Sequence, residues 1–146
     1  MTISGRTGNN NALTGLADNA GTLDLIAGAS ITINPGIDFV NTGTVELDTF
    51  IQPGGSSLTI SGVLTNTGAV QLGATGLEAF GNNGITASDI VTASGLNNSG
   101  SIGLFGSTAP GSTAQAELNI LAPAPTTLTG KFSLNGDALL QFASGA

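Results

Sequence analysis

Residues 66–72 read Asn-Thr-Gly-Ala-Val-Gln-Leu, and near-copies of this phrase stand at 41–47 (Asn-Thr-Gly-Thr-Val-Glu-Leu) and 98–104 (Asn-Ser-Gly-Ser-Ile-Gly-Leu). Each copy joins a short polar turn to a segment in which apolar and polar residues alternate, as they do in a half-buried β-strand. Recurrence of one phrase at offsets of 25 and 32 residues is typical of a chain wound into stacked coils.

The same alternation recurs along the rest of the chain, with Gly, Pro and Asn residues between the alternating segments. Apolar spacings of three and four are not sustained, except for a turn or two of helix predicted at 75–80 and at 114–118. The sequence therefore predicts an all-β protein. The predicted strands lie at 23–25, 31–33, 45–47, 58–60, 70–72, 102–104, 118–120, 132–134 and 140–142.

These strands fit a single β-solenoid domain over 1–146, with irregular coils of roughly 20–30 residues. Residues 1–11 are polar and are interpreted as a flexible lead or a cap. An antiparallel β-sandwich is the alternative fold, because alternation carries no mark of strand direction. In the solenoid, equivalent side chains stack into inward ladders. The predicted ladders are Val45, Val70 and Ile102, and Leu47, Leu72 and Leu104.

The Asn and Gly residues of the repeated phrase are predicted to be structural corner residues. They are Asn41, Asn66 and Asn98, with Gly43, Gly68 and Gly100. Two arrangements of the asparagines remain open: an internal amide ladder, or separate corners in the left-handed conformation that cap local backbone groups. Both arrangements are structural.

The charge and residue inventory excludes several functions. Two basic residues against nine acidic ones give a net charge of -7, so we expect neither nucleic acid nor anionic membrane surfaces as partners. The chain has no Cys and no His, which excludes disulfides and thiolate metal sites and removes the commonest general base. We therefore expect no metal and no cofactor. No apolar run is long enough to insert into a membrane.

The acidic residues Asp38, Glu46 and Asp48 are the candidates for chemistry, because paired carboxylates can hydrolyse glycosides or bind calcium. On a regular strand Glu46 and Asp48 lie on one side, roughly 7 Å apart. Since Val45 and Leu47 take the inward side, we expect both carboxylates on a solvated outer face. The sequence thus predicts that the protein is not an enzyme.

Outward threonines raise a separate possibility, a water-ordering surface of the kind that binds ice. Thr32 and Thr59 each stand between apolar residues. We expect Asp24, Glu46 and Gln71 to interrupt such a row, which disfavours this function.

Residues 62–73 (Gly-Val-Leu-Thr-Asn-Thr-Gly-Ala-Val-Gln-Leu-Gly) and 95–104 (Gly-Leu-Asn-Asn-Ser-Gly-Ser-Ile-Gly-Leu) resemble repeats of filamentous-haemagglutinin-like and autotransporter passenger proteins. The resemblance is clearest over 37–104 and weaker over 118–142. It implies a right-handed parallel β-helix and a secreted bacterial surface protein, here as a fragment or mature form. The motif matches only structural positions, so no functional residue carries over.

The function expected is that of a non-enzymatic structural or adhesive module at the bacterial cell surface or outside the cell. A stiff β-helical rod would present variable loops, such as 73–84 and 107–115, to host or surface glycans or proteins. One alternative is a self-assembling subunit of an extracellular fibre, stacked end to end on identical copies. A carbohydrate-active β-helix enzyme is the third and least favoured hypothesis.

Overall fold

A computed structural model of the protein describes residues 1–4, 13–50, 54–74 and 85–145. These ranges contain thirteen β-strands and no α-helix. The strands are β1 (Thr2–Ser4), β2 (Asp18–Asn19), β3 (Thr22–Ile26), β4 (Ser30–Ile33), β5 (Phe39–Asn41), β6 (Thr44–Leu47), β7 (Ser57–Asn66), β8 (Ala69–Leu72), β9 (Asp89–Asn98), β10 (Ser101–Phe105), β11 (Ala116–Ile120), β12 (Lys131–Asn135) and β13 (Ala138–Phe142).

The strands form two large parallel sheets. Sheet A has the order β1-β3-β6-β8-β10-β12, and sheet B has the order β13-β11-β9-β7-β5-β2, with β4 also paired to β7. Every pair of neighbouring strands within these sheets is parallel. The described chain is therefore all-β, as expected, and the antiparallel sandwich is wrong.

Among the described residues the chain passes from sheet B into sheet A five times, through β2-β3, β5-β6, β7-β8, β9-β10 and β11-β12. We call each such passage a winding, and the short Asn-X-Gly segment that joins the two strands in the first four windings the asparagine corner. Because consecutive windings supply neighbouring strands in both sheets, each winding is hydrogen-bonded to the one before and the one after.

All nine predicted strands lie within observed strands, whereas β1, β2, β5 and β9 were not predicted. The helical turn predicted at 114–118 is wrong, because β11 occupies Ala116–Ile120. The helical turn predicted at 75–80 lies outside the described residues. Of the predicted lead or cap at 1–11, the described part contains β1, which pairs with β3 in sheet A.

Identical or similar apolar side chains stack in register on the inner face of sheet A. Val45 pairs with Val70, and Val70 with Ile102. One step along the strands, Leu47, Leu72 and Leu104 repeat this pairing. All six side chains are buried, and they join side chains of sheet B in a single hydrophobic core. Burial of this kind contributes about 25 cal/mol for each Å² of apolar surface removed from water.

The corner glycines are required by the close approach of neighbouring backbones. A Cβ on Gly68 would lie 2.0 Å from the carbonyl oxygen of Gly43, and a Cβ on Gly100 would lie 2.1 Å from that of Gly68. A Cβ on Gly43 would lie 2.0 Å from the carbonyl oxygen of Gly21. None of these three glycines has a positive φ, so steric room rather than backbone freedom selects the residue.

Replacing a corner glycine tests this packing. We expect Gly68→Ala to lower the free energy of unfolding by about 3 kcal/mol or more, because the methyl group collides with fixed backbone rather than with a movable side chain. Gly21→Ala is the matched control. Gly21 occupies the equivalent corner of the first winding, where a Cβ meets nothing within 4 Å. Urea unfolding of both variants measures the difference, and equal stabilities would contradict the packing described here.

Candidate functional site

The asparagines of successive corners form a continuous ladder of side-chain amides. Asn19 Nδ2 donates to Asn41 Oδ1, Asn41 Nδ2 to Asn66 Oδ1, and Asn66 Nδ2 to Asn98 Oδ1, each at 2.8 Å. Asn41 and Asn66 are fully buried. None of these asparagines has a positive φ. Of the two arrangements left open by the sequence, the structure contains the amide ladder.

The amides of Asn19, Asn41 and Asn66 also bind the backbone of two windings at once. Asn41 Nδ2 donates to the carbonyl oxygen of Gly43 at 3.3 Å in its own corner and to that of Ala69 at 2.8 Å in the next winding. The backbone carbonyl oxygen of Asn41 accepts from the backbone N–H groups of Thr67 and Gly68. The position thus needs a side chain that donates and accepts simultaneously, which is the property of an amide.

Asn19 is a member of the ladder that the sequence analysis missed. Residues 19–25 read Asn-Ala-Gly-Thr-Leu-Asp-Leu, a fourth copy of the repeated phrase, 22 residues before Asn41. The alanine in the middle of the turn made the copy less obvious. The Gly two residues after Asn, followed by the alternating strand, was the signal that could have identified it.

The ladder ends after Asn98 because the next winding has no asparagine at the corner. Lys131 is in register with Ser101, which places Leu128 at the position that corresponds to Asn98. Asn98 Nδ2 instead donates to the backbone carbonyl oxygen of Thr129 at 3.0 Å.

The expected placement of Glu46 and Asp48 on one solvated face is wrong. Strand β6 ends at Leu47, and Asp48 has a φ of 48°, so the alternation of the strand does not extend to this residue. The Asp48 side chain is fully buried, and its carboxylate accepts from the backbone N–H groups of Ala27 at 2.7 Å and Ser56 at 3.2 Å. The third candidate, Asp38, is exposed and accepts from the backbone N–H of Val63.

Asp48 lies instead against a second buried carboxyl group, that of Asp89. Asp89 is also fully buried, and its Oδ1 accepts from the backbone N–H groups of Gly55 at 2.8 Å and Ser56 at 3.0 Å. Burial raises the pKa of Asp89 to about 8, helped by the hydrogen bond to Asp48 and by the negative charge of that residue. The backbone N–H groups of Ser56 and Gly55 oppose this shift. Nothing in the local sequence around Asp89 indicated the pair.

The outer face of sheet A carries a row of polar side chains in register. Asp24 neighbours Glu46, and Glu46 neighbours Gln71. Partial burial, followed by the charge of Asp24, raises the pKa of Glu46. In the next winding the row is interrupted by Gly103.

At Gly103 an aromatic ring replaces the polar side chain of the row. A Cβ on Gly103 would lie 2.6 Å from Cε2 of Phe105, so the glycine leaves room for the phenyl ring to lie over the sheet. The ring borders an open groove of about 570 Å³ that Gln71, Lys131 and Ser133 also line. This groove therefore combines an apolar surface with amide, ammonium and hydroxyl groups.

A second, smaller groove of about 260 Å³ lies beside the last asparagine corner. Thr65, Asn97, Ser99, Leu128 and Phe132 are among the residues that line it. Of the loops expected to make contacts, 107–115 is described, whereas most of 73–84 lies outside the described residues.

The outward threonines lie on sheet B, not beside the acidic row. Thr32 pairs with Thr59, and Thr59 with Thr92. Asp24, Glu46 and Gln71 belong to sheet A, so the expectation that they interrupt the threonine row is wrong. The row nevertheless ends after three residues, because Asn119 follows Thr92 in the next strand.

Within the described ranges, no three or more Asp, Glu, His or Cys residues form a group that could hold a metal ion. The same part of the chain contains no apolar helix long enough to cross a lipid bilayer. Comparisons with protein-family models, curated proteins and solved structures give no match.

Interrupting the amide ladder tests its contribution to stability. We expect Asn66→Ala to cost about 2–4 kcal/mol, because it leaves the buried amides of Asn41 and Asn98 without a partner on one side. Asn66→Asp should be equally damaging at neutral pH. It keeps the acceptor for Asn41 but directs negative oxygen at Asn98 Oδ1 and at the carbonyl oxygen of Ser101.

Asn97→Ala is the matched control for both variants. This asparagine immediately precedes Asn98 on the same strand, but its side chain is exposed. Chemical unfolding should give wild-type stability for the control, within about 0.5 kcal/mol. A ladder variant as stable as the control would show that the amide bonds contribute nothing.

Proposed function

We propose that this chain is a non-enzymatic structural and adhesive module of a secreted bacterial cell-surface protein, folded as a right-handed parallel β-helix. The observation that carries the proposal is the stacking of equivalent residues in consecutive windings, with the asparagine ladder on one corner and the Val, Ile and Leu ladders inside. The resemblance of the repeated phrases to those of adhesin passenger proteins supports it.

This architecture gives a stiff support for a contact surface. Each corner is bonded to the next by both side chain and backbone, so neighbouring windings cannot shift independently. Outward side chains contribute little to the inner ladders, and they can therefore vary without loss of the fold. Binding residues held on such a scaffold stay in place before a ligand arrives.

We propose the groove beside Phe105 as the contact surface on sheet A. A partly exposed phenyl ring stacks on the apolar face of a sugar ring, while Gln71, Ser133 and Lys131 can hydrogen-bond to its hydroxyl groups. A net charge of -7 disfavours polyanionic chains, so a neutral glycan is the partner proposed. The positions of Asp48, enclosed in the protein, and Glu46, on the outer face, also favour a function without glycosidic catalysis.

Binding of neutral oligosaccharides tests this function. Titration with cellohexaose, chitohexaose and xylohexaose, followed by saturation-transfer NMR, should identify at least one ligand. We expect Phe105→Ala to weaken its binding about tenfold, the loss of roughly 1.4 kcal/mol of stacking. Phe50→Ala removes an exposed phenyl ring elsewhere and is the control. Absence of binding to all three sugars, or equal binding by both variants, would contradict the glycan contact.

A fibre subunit is the second candidate function, and the last described winding favours it. Leu134 is 48 % exposed, whereas Leu104, its register neighbour one winding earlier, is 0 % exposed. Strands β12 and β13 stand at the edges of their sheets, where another parallel strand can pair.

Sedimentation velocity and negative-stain microscopy over a concentration series distinguish the two functions. Filaments that disappear in Leu134→Lys, but persist in the control Leu121→Lys, would establish end-to-end stacking and replace the adhesive proposal. Leu121 is also exposed but lies outside the strands. A monomer at all concentrations is the result expected for the adhesive module.

A further inference from the structure

The buried carboxyl groups of Asp48 and Asp89 connect three separate parts of the chain. Asp48 follows β6 and Asp89 begins β9. Just before β7, the backbone N–H of Ser56 donates to both side chains and that of Gly55 donates to Asp89. The backbone N–H of Ala27, just after β3, adds a bond to Asp48. The pair thus connects Asp48, after β6, and the backbone of Gly55 and Ser56 to Asp89 at the start of β9.

When both carboxyl groups are ionised, one of their four oxygens has no hydrogen-bond donor. Both oxygens of Asp48 and Oδ1 of Asp89 accept from backbone N–H groups. Oδ2 of Asp89 is buried without a donor. Two carboxylates cannot hydrogen-bond to each other, and two negative charges in a site closed to water repel strongly. A proton on Oδ2 of Asp89 removes both problems, because the resulting hydroxyl donates to Asp48.

We propose that Asp48 and Asp89 share one proton and act as a pH-sensitive latch, which holds the backbone of Gly55 and Ser56 against the two carboxyl groups when protonated and releases it when the proton is lost. This inference concerns the fold's response to pH and is independent of the proposed glycan contact. The ionised pair would separate to let water reach the two charges, and the bonds from Gly55 and Ser56 would open first.

No cation among the described residues is placed to take the role of the proton. The backbone N–H of Asp89 donates to the carbonyl oxygen of Gln115, whose side chain donates to Asp137 at 3.1 Å. The charged group that these bonds reach is therefore another carboxylate. Lys131 lies on β12 in sheet A, and the N-terminal ammonium donates to the carbonyl oxygen of Thr22. Glu117 points outward from β11, where it accepts from Asn119. Asp24 of β3 and Glu46 of β6 are register neighbours on the outer face of sheet A, and no charged side chain stands within two residues of Ala27 or Ser56.

Uptake of a proton on folding determines how the free energy of unfolding changes with pH. The pKa of Asp89 is raised from 3.8 to about 8, so between these values the folded protein holds a proton that the unfolded chain has released. The stability contributed by the latch is fully present below pH 3.8 and is lost progressively as the pH rises towards 8.

Asp89→Asn is the variant that tests the latch. The amide nitrogen donates to Asp48 in place of the shared proton, while the amide oxygen still accepts from Gly55 and Ser56. We expect wild-type stability in urea to fall between pH 6 and pH 9 and that of Asp89→Asn to stay level, so that the variant is the more stable protein at pH 9. Asp48→Asn is the matched control. It replaces an acceptor that Ala27 or Ser56 needs and should be destabilised at every pH.

Amide hydrogen exchange, corrected for the intrinsic effect of pH on the exchange rate, measures the local opening of the latch. In the wild type, we expect the protection of Gly55 and Ser56 to fall about tenfold from pH 7 to pH 9, a change equivalent to roughly 1.4 kcal/mol. Thr67 and Gly68, at an asparagine corner, serve as the internal control and should keep their protection.

Two results would overturn the proposal. The first is an Asp89→Asn variant that folds and retains the wild-type dependence of stability on pH. The second, which needs no variant, is a carbon-13 NMR titration in which the Asp89 carboxyl group has a midpoint below pH 5. A midpoint near 8 for that carbon would support the shared proton even if Asp89→Asn did not fold.

Discussion

The fold depends on the contact between asparagine corners in consecutive windings. At this contact the carbonyl oxygen of one corner glycine occupies the space next to the following corner glycine, and the asparagine amide donates and accepts along the same axis. No larger residue fits at Gly68, and a side chain that only donates or only accepts cannot replace Asn66. These two requirements fix the register of sheet A, because β6, β8 and β10 each begin immediately after a corner.

The same constraint explains why the repeats differ in length. The three successive asparagine offsets are 22, 25 and 32 residues, yet each strand of sheet A returns to the same register. In the sequence, the extra residues fall between the end of one sheet A strand and the start of the next sheet B strand. Where β7 meets β9 the pairing shifts between Ile60 and Val63, upstream of the corner at Asn66. The length varies between the corners, and each corner restores the alignment of sheet A.

Patterns among neighbouring residues in the sequence predicted the strands, their inward faces and the equivalence of the repeated segments. The alternation around Val45, Val70 and Ile102 identified strands and their inward faces, because period-two burial is written directly in the residues. The asparagine phrase identified which segments are equivalent. The alternation of apolar and polar residues does not indicate strand direction, and only the observed parallel pairing of the strands excluded the antiparallel alternative.

The wrong and missed predictions share a physical cause. In each case the structure depends on a backbone conformation or on a contact between distant residues, and neither is visible in the local pattern of the sequence. Asp48 looked like the next outward residue of β6, but its left-handed backbone ends the strand and buries the carboxyl group. Asp89 meets Asp48 across 41 residues of sequence, a contact with no local signature. The groove at Gly103 was missed because only the structure shows that the Phe105 ring lies over the glycine.

The most direct test of the stacked parallel register is disulfide formation between introduced cysteines, since the chain has none of its own. Glu46 and Gln71 are register partners on the outer face of sheet A, where neighbouring strands are about 4.8 Å apart. With the windings stacked in parallel register, we expect rapid oxidation of the Glu46→Cys, Gln71→Cys pair and slow oxidation of the offset pair Thr44→Cys, Gln71→Cys. Equal rates for the two pairs, or faster oxidation of the offset pair, would contradict it.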